Sequence, residues 1–209
     1  MGYLNPLLLK TKRSMNNNAQ FLVNFLKHVH PMPDNIAKEI THHFEPISVI
    51  KNEALLKQGE VCNDLFILET GLVRAYTLDI NGNEVTTNFI TPPTLAFDIA
   101  SFFKRTRSHQ SMYALTHCTG WKASYPKIQI LFHSIPEFRE FGRANLVNCY
   151  ASLQERTLSM INLTAEQRYE ILIEQQPAIF QHSPLKYIAS FLGVTDSSLS
   201  RIRKEIVGR

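Results

Sequence analysis

Eight histidines, three cysteines and eighteen carboxylates could supply a catalytic or metal centre, but their spacing builds neither. A cupin-like metal enzyme, one alternative for a β-rich chain, needs two or three histidines and a carboxylate. The β region here offers only His109 and His117, with no HxH pair. His42 and His43 sit at the end of a helical stretch, where partly charged residues suit a helix C-terminus. Cys62, Cys118 and Cys149 form no CxxC pair and no zinc spacing, and three thiols cannot hold an iron–sulfur cluster that needs four. No serine, histidine or aspartate lies in a nucleophile motif. The expectation is a chain without enzyme activity, metal or cofactor, its thiols reduced in the cytoplasm. No apolar run approaches the ~20 residues of a membrane span, so no membrane partner is expected.

The chemistry points instead to the end of the chain, "SPLKYIASFLGVTDSSLSRIRKEI". From Ser183 to Arg209 five basic residues face two acidic ones, a net +3 on a chain whose total is +4. Such a basic end suits a polyanion. The stretch reads as helix, turn, helix. Ser183 caps and Pro184 starts the first helix. Ile188 and Leu192 face inward, and Ala189 is small where the helices cross. Gly193 occupies the turn, which favours positive φ, and Val194 plugs it. Thr195 caps the second helix, whose Leu199 and Ile202 return to the core. These offsets fit the DNA-binding helix-turn-helix. At 100° per residue, Ser197, Arg201 and Lys204 fall opposite the core, with Ser200 beside them. Arg201 is the best candidate base reader, since arginine pairs bidentately with guanine. Lys186, Thr195 and Ser198 are placed for phosphate contacts.

The elements that must position this end come before it. Hydrophobic residues make up 44% of the chain and charged residues 19%, enough for a packed core. Residues 1–18 read as a loose extension with Met15 as an alternative start. Residues 19–45 read as helical, with Asp34 as a cap. Short β runs follow, punctuated by Gly59, Gly71 and Gly82. "LFILETGLVRAYTLDI" gives two strands broken at Thr70-Gly71. Asn81-Gly82 predicts a type I′ hairpin turn with positive φ at both residues. "SMYALTHCTGWKAS" adds more β, so the pattern favours an antiparallel sandwich or barrel over a parallel α/β sheet. A long helix is expected over 136–163. Leu146, Leu153 and Met160 recur every seven residues, with Cys149, Arg156 and Leu163 three later each time. That seam fits a parallel dimer helix or a helix packed on its own β domain. Thr164 and Gln167 form a capping-box pattern for the next helix. The expected organisation is a β domain with flanking helices over 19–135, a connecting helix over 136–163 and a helix-turn-helix domain over 164–209.

The glycine series, the strand ending "WKAS" and the helix-turn-helix together resemble the Crp/Fnr superfamily of transcription regulators, most closely its divergent Bacteroidetes-type members. The resemblance implies a multidomain α and β fold: a cyclic-nucleotide-binding-like β-roll of jelly-roll type, a long dimer helix and an all-α DNA-binding end. It favours the dimer reading of the seam, through Leu146, Cys149, Leu153, Arg156 and Met160. In nucleotide-binding members a glycine precedes a glutamate that holds the ribose, and an arginine ten residues later neutralises the phosphate. Counting back from Ser124 puts Phe97 on the glycine, Asp98 on the glutamate and Ser108 on the arginine. Arg107 is one residue off, a slip that a loop insertion would restore. Cyclic AMP is therefore not the expected ligand, and Asp98, Arg107 and Ser108 stand as candidate residues for an unidentified small-molecule effector. By the same resemblance Asp196, Ser197 and Arg201 take base-reading positions. Many members carry Arg-Glu where this chain has Asp196-Ser197, so its preferred DNA should differ from theirs. Most members continue into a β-wing, whereas this sequence stops at Arg209, which implies a wingless branch or a truncated chain. The implied function is a homodimeric regulator binding a pseudo-palindrome in double-stranded DNA. The alternative to it, besides the cupin-like enzyme, is a dimeric ligand-sensing module with a vestigial DNA-binding end.

Overall fold

The computed structural model describes residues 19–207. The extension expected over 1–18, and Arg209, lie outside the described residues. Two helices open the fold, α1 (19–29) and α2 (Asp34–Thr41). Eight strands follow: β1 (Glu45–Val49), β2 (Ala54–Leu56), β3 (Asp64–Thr70), β4 (Val73–Leu78), β5 (Glu84–Ile90), β6 (Thr94–Ala96), β7 (Ser111–Ala114) and β8 (Cys118–Ser124). A short helix, α3 (Ile99–Lys104), interrupts them. The chain ends in α4 (Tyr125–Ser134), α5 (Pro136–Asn162), α6 (Ala165–Gln175), α7 (Pro177–His182), α8 (Leu185–Leu192) and α9 (Asp196–Val207).

The strands form two antiparallel four-stranded sheets, ordered β1-β8-β3-β6 and β2-β7-β4-β5. This is the expected roll. Runs such as Leu65–Leu68 are buried on both faces because one side meets the opposite sheet and the other meets helices. The main core joins the inner faces of the sheets to α1, α2, α4 and the start of α5. Phe25, Phe132, Phe138 and Phe141 tie it together through aromatic contacts of 5.0–6.0 Å.

Three local expectations need correction. Asp34 is the first residue of α2 rather than its cap; Pro33 holds that place, and Asp34 pairs with Lys27. Ser183 does not cap α8, which begins at Leu185 after Pro184; a rigid φ near the helical value does the work there, and the Ser183 hydroxyl bonds the Pro184 carbonyl at 3.4 Å. The β4–β5 turn is not type I′. Gly82 alone has positive φ, at 81°. The Gly82 N–H donates to the Asp79 carbonyl at 3.0 Å, and the Asp79 carboxylate accepts from the N–H groups of Asn81 and Asn83 at 2.8 Å. An aspartate that satisfies the loop backbone favours a type I turn closed by a left-handed glycine.

Candidate nucleic-acid interface

Helices α8 and α9 cross around Ile188, Ala189, Leu192, Leu199 and Ile202, all buried. Between them Gly193 adopts φ 71°, and the Val194 N–H returns to the Ala189 carbonyl at 3.0 Å, closing the first helix. The Thr195 hydroxyl accepts the Ser198 N–H at 3.2 Å and so caps α9. That capping leaves Asp196, Ser197, Ser200, Arg201 and Lys204 exposed, with Ser198 half-buried. Ser200 bonds back to the Asp196 carbonyl at 2.9 Å, while Lys186 projects from α8 with its ammonium 5.1 Å from the Tyr187 ring. The structure thus brings the candidate DNA-binding residues of α9 onto one exposed face, with a helix N-terminus and two cations, Arg201 and Lys204, along it.

The candidate ligand residues are arranged differently. Asp98 and Ser108 are both buried and bonded to each other, Ser108 Oγ donating to Asp98 Oδ2 at 2.6 Å. The other Asp98 oxygen accepts the Ser101 N–H at 3.0 Å and caps α3. Ser108 Oγ in turn accepts the Gln110 N–H at 3.1 Å. The carboxylate is therefore satisfied within the chain. Arg107 is exposed, donates to the Gly59 carbonyl at 3.1 Å and points away from that pair. It forms an isolated antiparallel bridge with Val61, outside the named strands, and stays exposed where Ser108 is buried. Phe97 packs against Phe102 at 5.3 Å. Arg105 stacks 4.2 Å over Tyr125 and donates to the Cys62 carbonyl, leaving Lys104 as a solvated neighbour. Among the described residues, no cluster of three or more histidines, cysteines or carboxylates is placed to hold a metal.

Residues 46–134 match the family model of the cyclic nucleotide-binding domain. Solved structures extend the match to the helical end. The c-di-GMP-responsive global regulator CLP of Xanthomonas campestris is 14% identical, covers 84% of this chain and 92% of its own, and has a TM-score of 0.67. A structure from Eubacterium rectale assigned to the Crp/Fnr family is 12% identical, with 87% of each chain covered and a TM-score of 0.68. The catabolite activator protein of Thermus thermophilus is 17% identical, covering 88% and 87%, at 0.54. This chain has the Crp/Fnr fold. No curated protein matches its sequence significantly.

Helix α5 runs from the roll to the helical end and has two distinct faces. Phe138 and Phe141 are buried against the roll. On the other side an apolar stripe stands in solvent: Leu146, Tyr150, Leu153 and Ile161 are 57%, 67%, 62% and 73% exposed. Cys149 lies beside it. Arg156 turns the other way. Its guanidinium sits 3.8 Å over the Phe191 ring of α8 and donates to the Phe191 carbonyl at 3.1 Å. Burial pulls its pKa down, but a guanidinium stays charged. Met160, 43% exposed, also touches the helix-turn-helix, filling the space beside Gly193. At 100° per residue Tyr150 and Ile161 fall on the same exposed face as Leu146 and Leu153, while Arg156 falls on the side that meets α8. The aromatic Tyr150 and β-branched Ile161, four and fifteen residues after Leu146 and so on nearly the same helix face, were the available signal.

An apolar cleft of about 410 Å³ opens between β3, β6, α3, α4 and α5. Phe97, Phe103, Phe132 and Phe141 line it, with Leu146 and Cys149 at the α5 side. No helix of the described residues is long and apolar enough to cross a membrane.

Proposed function

We propose that this protein is a homodimeric, sequence-specific DNA-binding transcription regulator of the cytoplasm, with α9 as its recognition helix. The observation that carries this reading is the α9 face itself. Arg201 and Lys204 project from a helix whose opposite side is locked into a core, and Ser197 and Ser200 offer short polar groups near its start. A helix of that kind enters a major groove with its N-terminal residues at base edges. The fold shared with CLP and the catabolite activator protein supports the same reading.

The dimer forms through the stripe of Leu146, Tyr150, Leu153 and Ile161, where a second copy's α5 covers apolar surface that the protomer leaves in water. That partner helix also closes the α5 side of the apolar cleft. The roll does not take cyclic AMP. No cation occupies position 108, and a phosphate buried there without one is very costly. Asp98, already holding two donors, has no need of a ribose hydroxyl.

Selection from a random pool of duplex DNA tests the reading. The enriched sequences should be inverted repeats with half-site centres about 10 base pairs apart, one helical turn or ~34 Å. Enrichment of single half-sites, or of no common sequence, would count against a two-fold symmetric reader.

A further inference from the structure

We infer that a bulge in β5 couples the Asp98–Ser108 pair to helix α8, so that breaking the pair loosens the helix-turn-helix from the roll. The inference deepens the regulator reading and rests on it for its consequence, not for its geometry.

Helix α8 is docked on the roll. Leu72, Phe89 and Leu115 of the roll belong to the same buried core as Ile188, Leu192, Leu199 and Ile202. Phe191 meets Phe89 edge to face at 5.3 Å. Arg74, almost fully buried, pairs with Glu84, and its guanidinium lies 3.5 Å over the Tyr187 ring. A single hydrogen bond pins the edge strand to the helix: the Thr86 N–H donates to Ser190 Oγ at 2.8 Å.

Thr86 sits at the irregularity of the β4–β5 ladder. Tyr76 pairs with Thr86 and Ala75 with Asn88, so Thr87 is the extra, unpaired residue. A bulge re-aims side chains that a regular strand would alternate. Here it aims Thr87 toward the segment that follows Ser108, its hydroxyl donating to Gln110 Oε1 at 2.9 Å. Gln110 N–H donates to Ser108 Oγ, and Ser108 Oγ donates to Asp98. A continuous chain therefore runs from Asp98 through Ser108, Gln110 and Thr87 to the residue next to Thr86, which holds Ser190. Thr86 also accepts the Arg74 Nε–H at 2.9 Å, so a shift of the bulge moves the ring stack with Tyr187 as well. A bulge that loses the Thr87 anchor relaxes toward other geometries, and the Thr86–Ser190 bond is the first contact to feel it.

The test is hydrogen exchange of the Thr86 amide and the α8 amides in the full chain, without DNA, in Ser108→Ala, Ser190→Ala and the double variant. Ser108 and Ser190 share no partner, so independent effects would add. The inference expects Ser108→Ala to speed Thr86 exchange about tenfold, as Ser190→Ala does, and the double variant to be no faster than Ser190→Ala alone. Thr87→Val, which keeps the shape and removes only the hydroxyl, should reproduce Ser108→Ala even if the latter perturbs the buried Asp98–Ser108 pair. Exchange of Thr86 within twofold of the parent in both Ser108→Ala and Thr87→Val, or fully additive effects, would overturn it. Because no DNA is present, such a result leaves the DNA-binding reading standing.

Discussion

Arg201 carries the specificity prediction at the scale of single residues. A bidentate arginine–guanine contact contributes about 1–3 kcal/mol of discrimination. Arg201→Ala should therefore lower affinity for the selected site by roughly 5- to 150-fold while changing scrambled DNA only a few-fold. Cyclic AMP gives a second prediction. A ligand at a hundred times its Kd stabilises the native state by about 2.7 kcal/mol. Millimolar cyclic AMP should leave the thermal midpoint unmoved, and a rise of several degrees would show that the Asp98–Ser108 pair opens for the nucleotide. Gly71 gives a third. Its φ is 96°, and a Cβ there would lie 2.6 Å from both the Cys118 sulfur and the His117 carbonyl oxygen. Gly71→Ala should cost on the order of 2–4 kcal/mol by combining backbone strain with a clash against backbone, read by denaturant unfolding. Much at this scale was legible, because motif spacing fixes which residues share a face. The count back from Ser124 placed Asp98 and Ser108, which the fold brings together, while Arg107, one residue off, stays exposed on the Gly59 carbonyl. What could not be read was the bonding between them: nothing in a sequence states that Ser108 will satisfy Asp98. The Ser183 cap failed for a related reason, since a neighbouring proline already sets the helix entry.

At the scale of elements, the proposed dimer rests on α5. A regular seven-residue repeat suggested one seam, yet the helix turns Arg156 and Met160 toward its own helix-turn-helix and leaves Leu146, Tyr150, Leu153 and Ile161 outside. The sequence pattern recorded that α5 has an apolar face but not which neighbour takes which part of it, because packing against α8 is a long-range event. Leu153→Lys places a charge in the middle of the proposed seam. It should convert the dimer to a monomer in sedimentation, with little loss of helix by circular dichroism. The same variant should bind an apolar dye such as phenylnaphthylamine more strongly, since the cleft beside Leu146 and Cys149 loses its cover. A Leu153→Lys protein that remains dimeric would move the interface off this stripe.

The whole molecule has two cores, and the second is not the property of the helical end alone. Leu72, Phe89 and Leu115 complete it from the roll, and Arg156 and Arg168 tie the helix joint to the carbonyls of Phe191 and Leu192. The joint between α5 and α6 is thus bridged on both sides. The order of roll, connecting helix and helix-turn-helix was legible from glycine punctuation and helical periodicity. The docking of α8 on β5 was not, because Tyr187, Ser190 and Phe191 look like surface residues of a short helix until β5 is beside them. Titration of the dimer onto its selected DNA and onto a scrambled duplex at several salt concentrations, with Arg201→Ala alongside, tests the central claim most directly. The account predicts that the selected site binds ~1000-fold or more tighter than the scrambled one at near-physiological salt, and that Arg201→Ala erodes this ratio. Equal, weak binding to both duplexes that falls steeply with salt would mean that charge alone is at work, and would contradict it.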